Sequence, residues 1–219
     1  MTVWLAALDA GPVAIATLSV AEREHLGGLT SERARRRYGR TRTVLRGLLG
    51  SSLGVAPATV ALAVATDGKP RLAGGGDPDV RFNLSHAGDL LAIAVAEGCE
   101  VGVDVEPLAA RRQVLDGTLT ATERARLDAL PPERRTAEFL RGWTRKEAYL
   151  KGVGCGIRVP LDQLDLAPAR AGHRPTALPP ALAAEGDWTV VDLPLADDHV
   201  GAVAVPGSAP RVVVRRWVG

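Results

Sequence analysis

Two carboxylates stand two residues apart in Gly102-Val103-Asp104-Val105-Glu106, a run that otherwise alternates with valine. On a β-strand this spacing puts Asp104 and Glu106 on one face, about 7 Å apart, and Val101, Val103 and Val105 on the other. Oxygen ligands of this kind suit magnesium, which keeps waters and shares phosphate oxygens with its substrate. An exposed acidic strand edge would show the same spacing. A second group lies in Trp143-Thr144-Arg145-Lys146-Glu147-Ala148-Tyr149-Leu150-Lys151. Leu140, Trp143, Glu147 and Leu150 share one helical face, so a carboxylate sits inside an apolar stripe and needs a cation or a metal beside it. Lys151 follows one turn later, either as a phosphate-binding lysine or as the partner in a local Glu147–Lys151 ion pair. A third group, Phe82-Asn83-Leu84-Ser85-His86, ends a predicted strand in polar side chains that suit phosphate oxygens or a turn. No GxxxxGK[ST] loop, GxSxG elbow, HExxH helix or CxxC pair is present. The three groups together are tools for phosphoryl transfer without a P-loop.

Charge distribution points the same way. Seven arginines lie between Arg33 and Arg46 (Arg33, Arg35, Arg36, Arg37, Arg40, Arg42 and Arg46) with no acid among them, although the net charge is only +2. Like charges at helical spacing repel, so this stretch calls for an anionic partner, and guanidinium forks match phosphate. Tyr38 is the single aromatic among them, which is poor for stacking on nucleic acid. The composition, 46% hydrophobic and 24% charged over 219 residues, is that of a globular protein with a real core. No apolar run reaches the roughly 18 residues of a membrane span, and Met1–Asp9 does not read as a signal peptide. Cys99 and Cys155 are isolated and read as free thiols of a cytoplasmic protein.

The elements that must position these residues are legible in outline. Val3–Leu8 reads as a strand. A long helix starts at Thr30 or Ser31 and stops near Leu53 at Gly54 and Pro57. Strands follow at Thr59–Ala65, Val80–Leu84, Leu90–Ala96 and Val101–Glu106, the last two joined through Gly98 as in a hairpin. Asp67-Gly68-Lys69-Pro70 is a turn, and Ala73–Asp79 a glycine-rich loop. Beyond the joint at 107–118, Thr122–Leu130 and Pro132–Lys151 are helices, the second ended by Gly152 and Gly154. Residues 167–186 read as a surface loop. Trp188–Asp192, Val200–Val205 and Val212–Trp217 are the last strands. The expected fold is α+β, with an N-terminal half over 1–107 and a C-terminal half over 108–219.

Phe82–His86, Gly102–Glu106 and Trp143–Lys151, in this order and spacing, resemble the signature of the Sfp-type 4′-phosphopantetheinyl transferases. Asp67–Pro70 and the Tyr38–Leu49 helix also match, and the resemblance covers roughly residues 30–160. It implies two pseudo-symmetric α/β halves in one chain, each a small, mainly antiparallel sheet on a long helix, with coenzyme A as substrate between them. It further implies that Asp104, Glu106 and Glu147 hold Mg²⁺, with Mn²⁺ as an alternative. Asp104, Glu147 and Lys151 would be catalytic, Glu147 as a base acting directly or through water. Arg42, Lys69, Pro70, Asn83, Ser85, His86 and Lys151 would bind coenzyme A. Glu123 matches a recurrent acid of the family, with no role legible from the sequence. The partners implied are acyl or peptidyl carrier proteins, including those of polyketide and nonribosomal peptide biosynthesis, served by a monomer without nucleic acid or membrane. The competing expectations are a non-catalytic relative that binds coenzyme A or a nucleotide, and a nucleic-acid-binding protein that uses the arginine helix.

Overall fold

The computed structural model describes residues 1–64, 70–73, 79–109, 117–156, 159–169, 172–196, 198–208 and 210–218. Strand β1 (Thr2–Ala7) is followed by helix α1 (Val20–Gly28) and the arginine helix α2 (Glu32–Leu53). Helix α2 begins where Ser31 accepts a hydrogen bond from Ala34 N and ends where Gly54 adopts a left-handed φ of 67°. Short strands β2 (Leu62–Val64) and β3 (Pro70–Leu72) pair with each other. Then come β4 (Val80–Ala87), β5 (Leu90–Glu97) and β6 (Gly102–Pro107). Helices α3 (Ala121–Asp128) and α4 (Pro132–Val153) precede β7 (Asp165–Ala169), β8 (Gly172–Ala177), β9 (Trp188–Asp192), β10 (His199–Pro206) and β11 (Val213–Arg216).

The fold is α+β. One sheet runs β11-β1-β5-β4 and the other β6-β10-β9-β8-β7. Among the described residues the strand pairs are antiparallel except β1 with β11. Each sheet carries one long helix. Val44, Leu45, Leu48 and Leu49 of α2 pack on Leu91 and Ile93, while Ala148, Tyr149 and Leu150 of α4 pack on Val190, Ala202 and Ala204. The other faces of the two sheets meet. There Ala92, Ala94 and Ala96 of β5 face Val103 and Val105 of β6 and Val203 and Val205 of β10. The valine face read from the β6 sequence is thus buried between the sheets. Cys99 and Cys155 are free thiols.

Three expectations are corrected. β5 and β6 do not form a hairpin: β5 pairs with β4 and β1, whereas β6 pairs with β10 in the other sheet. Gly98 allows a turn, but the valines of β6 find their core by crossing to the second sheet. Ser85 and His86 do not end a strand either. They pair with Ala92 and Leu91, and the chain turns only at Gly88, where φ is 56°. Residues 167–186 are not a plain surface loop, because β7 and β8 form a hairpin and Leu182 is buried. Pro168 and Pro175 suggest a loop, but Pro168 lies on the outer strand β7, which tolerates proline, and Pro175 lies past the pairing of β8 with β9 at His173 and Val190. Each sheet also draws a strand from across residue 107. β6 joins the sheet built mostly by the C-terminal half, and β11 returns to β1.

Candidate active site

Strand β4 serves two places at once, because its side chains alternate. Leu84 and His86 face α2. With Arg37, Tyr38, Thr41 and Arg42 of α2, His25 of α1 and Pro70 of β3, they line an open cleft of about 380 Å³. The Tyr38 ring lies 4.5 Å from that of His25 and carries the Arg42 guanidinium 5.2 Å above it. The structure therefore gathers Arg42, Pro70 and His86 in one cleft. Lys69, with Asp67 and Gly68, lies outside the described residues.

The other face of β4 carries Asn83 and Ser85, both buried, opposite Ala94 and Ala92 of β5. Ser85 Oγ donates to Asp104 Oδ1 at 2.8 Å. Lys151 Nζ donates to the same oxygen at 2.6 Å and to Ser85 Oγ at 3.2 Å. Asp104 is 5% exposed, and its Oδ2 is buried with no hydrogen-bond partner. Ser85, Asp104 and Lys151, which lie far apart in sequence, thus meet at one point where β4, β6 and α4 converge. Glu147, one turn before Lys151, is half-buried on α4, and Glu106 is half-buried on β6. Among the described residues no three His, Cys, Asp or Glu side chains are gathered as a metal-holding group. Asn83, on the same face of β4 as Ser85, accepts at Oδ1 from Val103 N at 3.1 Å.

Helix α4 is held tightly on β6. A Cβ on Gly102 would overlap Ala148 O and Gly152 N. Across the sheet, Arg145 forms a two-pronged pair with Asp192 of β9 at 2.8 and 2.7 Å. Burial raises the Asp192 carboxyl, but Arg145 more than offsets this and leaves it below its ordinary value.

Lys146 is a structural residue that sequence reasoning missed. Its side chain is 2% exposed, and Nζ donates to Thr118 O, Leu161 O and Glu123 Oε2 at 2.8, 2.8 and 2.5 Å. Burial draws the ammonium below its usual value, with Glu123 working against that shift. Glu123 also closes a capping box with Thr120 at the start of α3. That Thr-x-x-Glu spacing is readable in the sequence and gives the acid a local role; its bond to Lys146 is not readable. Removing the carboxylate should strand a buried ammonium, so Glu123→Ala is expected to cost about 3–5 kcal/mol of stability. Urea unfolding of the variant against the parent measures it, and a loss under ~1 kcal/mol would contradict a buried pair.

The arginine helix finds much of its anionic partner within the chain. Asp9 takes a two-pronged bond from Arg37 at 2.8 and 2.9 Å and lies 3.4 Å from Arg33. Glu22 of α1 bonds Arg46 at 2.5 Å and lies 3.6 Å from Arg42. Arg46 also donates to the carbonyls of Pro57, Ala58 and Val60, so it is a core residue. Arg40 is buried against Pro12 O. Of the seven arginines, those lining the cleft are Arg37 and Arg42. Burial raises the Glu22 carboxyl, but Arg46, Ser19 and Arg42 outweigh it, and the net value falls below the ordinary 4.5. A depressed carboxylate stabilises the fold above its unfolded value and loses that contribution as pH falls through its folded value. Stability is thus expected to decline below about pH 4.5, and Glu22→Gln to flatten this acid limb in calorimetric scans. An unchanged slope would show that Glu22 does not couple to folding.

With this geometry in place, the likenesses of the chain are specific. The family model of the 4′-phosphopantetheinyl transferase superfamily matches residues 100–204, which hold Asp104, Glu106, Glu147 and Lys151. A 4′-phosphopantetheinyl transferase of Nostoc sp., HetI, is 34% identical over 196 residues, 88% of this chain and 80% of its own. A 4′-phosphopantetheinyl transferase of Bacillus subtilis is 29% identical over 62% of this chain and 60% of its own. The human L-aminoadipate-semialdehyde dehydrogenase-phosphopantetheinyl transferase is 24% identical over 92% of this chain and 71% of its own.

Proposed function

This chain belongs to the 4′-phosphopantetheinyl transferase superfamily, and on that premise we propose that it transfers the phosphopantetheine arm of coenzyme A to a serine of an apo carrier protein. The observation that carries the reading is the convergence of Ser85, Asp104 and Lys151 on one face of the outer strand β4, whose other face lines the cleft of Arg42, Pro70 and His86. The cleft offers a guanidinium and imidazole for phosphate and an aromatic shelf for a base, which suits the nucleotide end of coenzyme A. On this reading the pyrophosphate would pass around the edge of β4, an outer strand, to reach the cluster.

Two ligand types meet in this cluster. Lys151, already oriented by Asp104 and Ser85, supplies a point charge for pyrophosphate oxygens. Ser85 offers a hydroxyl to the same oxygens, and Glu147 stands on α4 to accept the proton of the incoming serine, directly or through water. The serine oxygen attacks the β-phosphorus, and the bond to the departing adenosine 3′,5′-bisphosphate breaks. Lys151, Arg42 and His86 hold the leaving anion. Positioning and electrostatic stabilisation do most of the work in such a transfer.

The residues fit a divalent cation. Asp104 keeps a buried oxygen with no hydrogen-bond partner, and Glu106 lies two residues on along the same strand. Magnesium is commonly held by one or two carboxylates together with substrate phosphates, so a preassembled protein cage is not required. Asp104, Glu106 and Glu147 would hold it, and when bound it would neutralise charge on the pyrophosphate. Mn²⁺ has the same oxygen preference.

The reading further assigns acyl or peptidyl carrier proteins as partners, a monomer as the working unit, and a cytoplasmic place. No helix among the described residues is long and apolar enough to cross a membrane. Intact-mass spectrometry of an apo carrier protein, incubated with this chain, coenzyme A and Mg²⁺, tests the proposal directly. The expected result is a gain of one phosphopantetheine arm that EDTA abolishes. A folded chain that binds coenzyme A but modifies none of several unrelated carriers would make it a non-catalytic binding relative.

A further inference from the structure

Every second residue of β4 is tied to β6, to the residues just before it or to β10, and so to the edge of the second sheet. Arg81 Nε bonds Glu100 Oε1 at 2.9 Å, and Asn83 Oδ1 accepts from Val103 N at 3.1 Å. Ser85 Oγ donates to Asp104 Oδ1 at 2.8 Å, and Ala87 O lies 3.3 Å from His199 Nε2. β4 is an outer strand of one sheet and β6 an outer strand of the other. The seam between them is thus closed by side chains, with Asn83 supplying the acceptor that a neighbouring strand's carbonyl would give.

Three successive residues of β6 are fixed from three directions. Gly102 lies against the backbone of α4, Val103 N is held by Asn83, and Asp104 is held by Ser85 and Lys151. The Asn83 bond fixes the Gly102–Val103 peptide plane, one peptide before Asp104, and so holds the stretch of β6 from which the Asp104 carboxylate leaves the strand. Asn83 is buried, opposite Ala94 of β5, on the face of β4 that points away from the cleft holding Arg42 and His86.

We propose that Asn83 is a positioning residue for the transfer reaction, acting through Val103 N on Asp104, and that it is not a ligand of coenzyme A. The inference rests on the transferase reading. It separates two chemistries of one amide. A ligand of phosphate would use the Nδ2 donor, which aspartate lacks. A positioning acceptor would use Oδ1, which aspartate keeps.

The test compares the parent chain with Asn83→Ala and Asn83→Asp in single-turnover transfer monitored by mass, and measures coenzyme A affinity by calorimetry. Asn83→Ala is expected to lose roughly 10- to 100-fold in the rate of transfer, the scale of a misplaced catalytic group. Its coenzyme A affinity should stay within about threefold of the parent, since the rate loss comes from positioning rather than binding. Asn83→Asp is expected to recover most of the rate. An Asn83→Asp variant that loses coenzyme A affinity, or is as slow as Asn83→Ala, would overturn the proposal. So would an Asn83→Ala variant whose whole defect lies in affinity. If Asn83→Ala does not fold, the rate and affinity of Asn83→Asp decide alone. A parent chain with no transfer at all would instead refute the transferase reading, and the variants would then be compared by coenzyme A affinity, where any loss in Asn83→Asp still refutes the positioning role.

Discussion

Asp104→Asn is expected to lower the rate of transfer at least about 10³-fold while leaving the fold in place, the upper scale for removing one preorganised electrostatic group. The side chain is buried, shares Oδ1 between Ser85 and Lys151, and keeps Oδ2 without a hydrogen-bond partner. Asparagine preserves the shape and can still accept from Ser85, so the strand should keep its course. What it removes is the negative charge that orients Lys151 and that would serve a cation. Asp104→Ala should lose the same activity and some stability too, because Ser85 Oγ and Lys151 Nζ then lack their shared acceptor. Transfer monitored by intact mass, paired with thermal melting, separates the two effects. Parent-like rates in Asp104→Asn would sink the assignment of this site.

Gly102→Ala should do the reverse, harming the fold first and the chemistry through it. The new Cβ would overlap Ala148 O and Gly152 N and come within 2.9 Å of Gly152 Cα. All three are backbone atoms of α4, so no flexible side chain can yield. Either β6 or the helix must move, and the core of Ala148, Tyr149 and Leu150 against Ala202 and Ala204 opens with it. Overpacking of this kind typically costs 1–3 kcal/mol, and a backbone clash sits at or above the top of that range, about 3 kcal/mol. For a chain of this length that is a drop of roughly 6–12 °C in Tm. The same displacement lengthens the 2.6 Å contact of Lys151 with Asp104, so residual transfer should fall as well. Gly142→Ala in the same helix is the control. A Cβ there meets nothing within 4 Å, and alanine should stabilise by about 0.5–1 kcal/mol. Equal melting temperatures for Gly102→Ala and the parent would show that α4 and β6 are not held as closely as described.

The chemistry-bearing segments were legible because each carries its own local period. Alternation in Val101–Glu106 put valines on one face and acids on the other, and both assignments hold. The ends of α2 and α4 were legible because Ser31, Gly54 and Gly154 act through neighbouring backbone. The β5–β6 hairpin failed for the complementary reason. Gly98 marks a turn, but a turn does not say which sheet the next strand joins. The arginine helix shows the same limit. Between Arg33 and Arg46 no acid is present, yet Asp9 and Glu22 reach it from outside that window and turn Arg46 into a core residue.

Residue type and spacing alone determined which side chains can do chemistry here, since helical and strand periods are properties of the local chain. They also determined the family, because several such segments recur in one order. Only the tertiary structure decided who meets whom. It set Lys151 on Asp104, Glu123 on Lys146 and Asn83 on a backbone amide of the neighbouring sheet. Those pairings join residues 20 to 47 positions apart. They are fixed by how two sheets and two helices pack, a balance of buried area and satisfied polar groups that no short window of sequence contains.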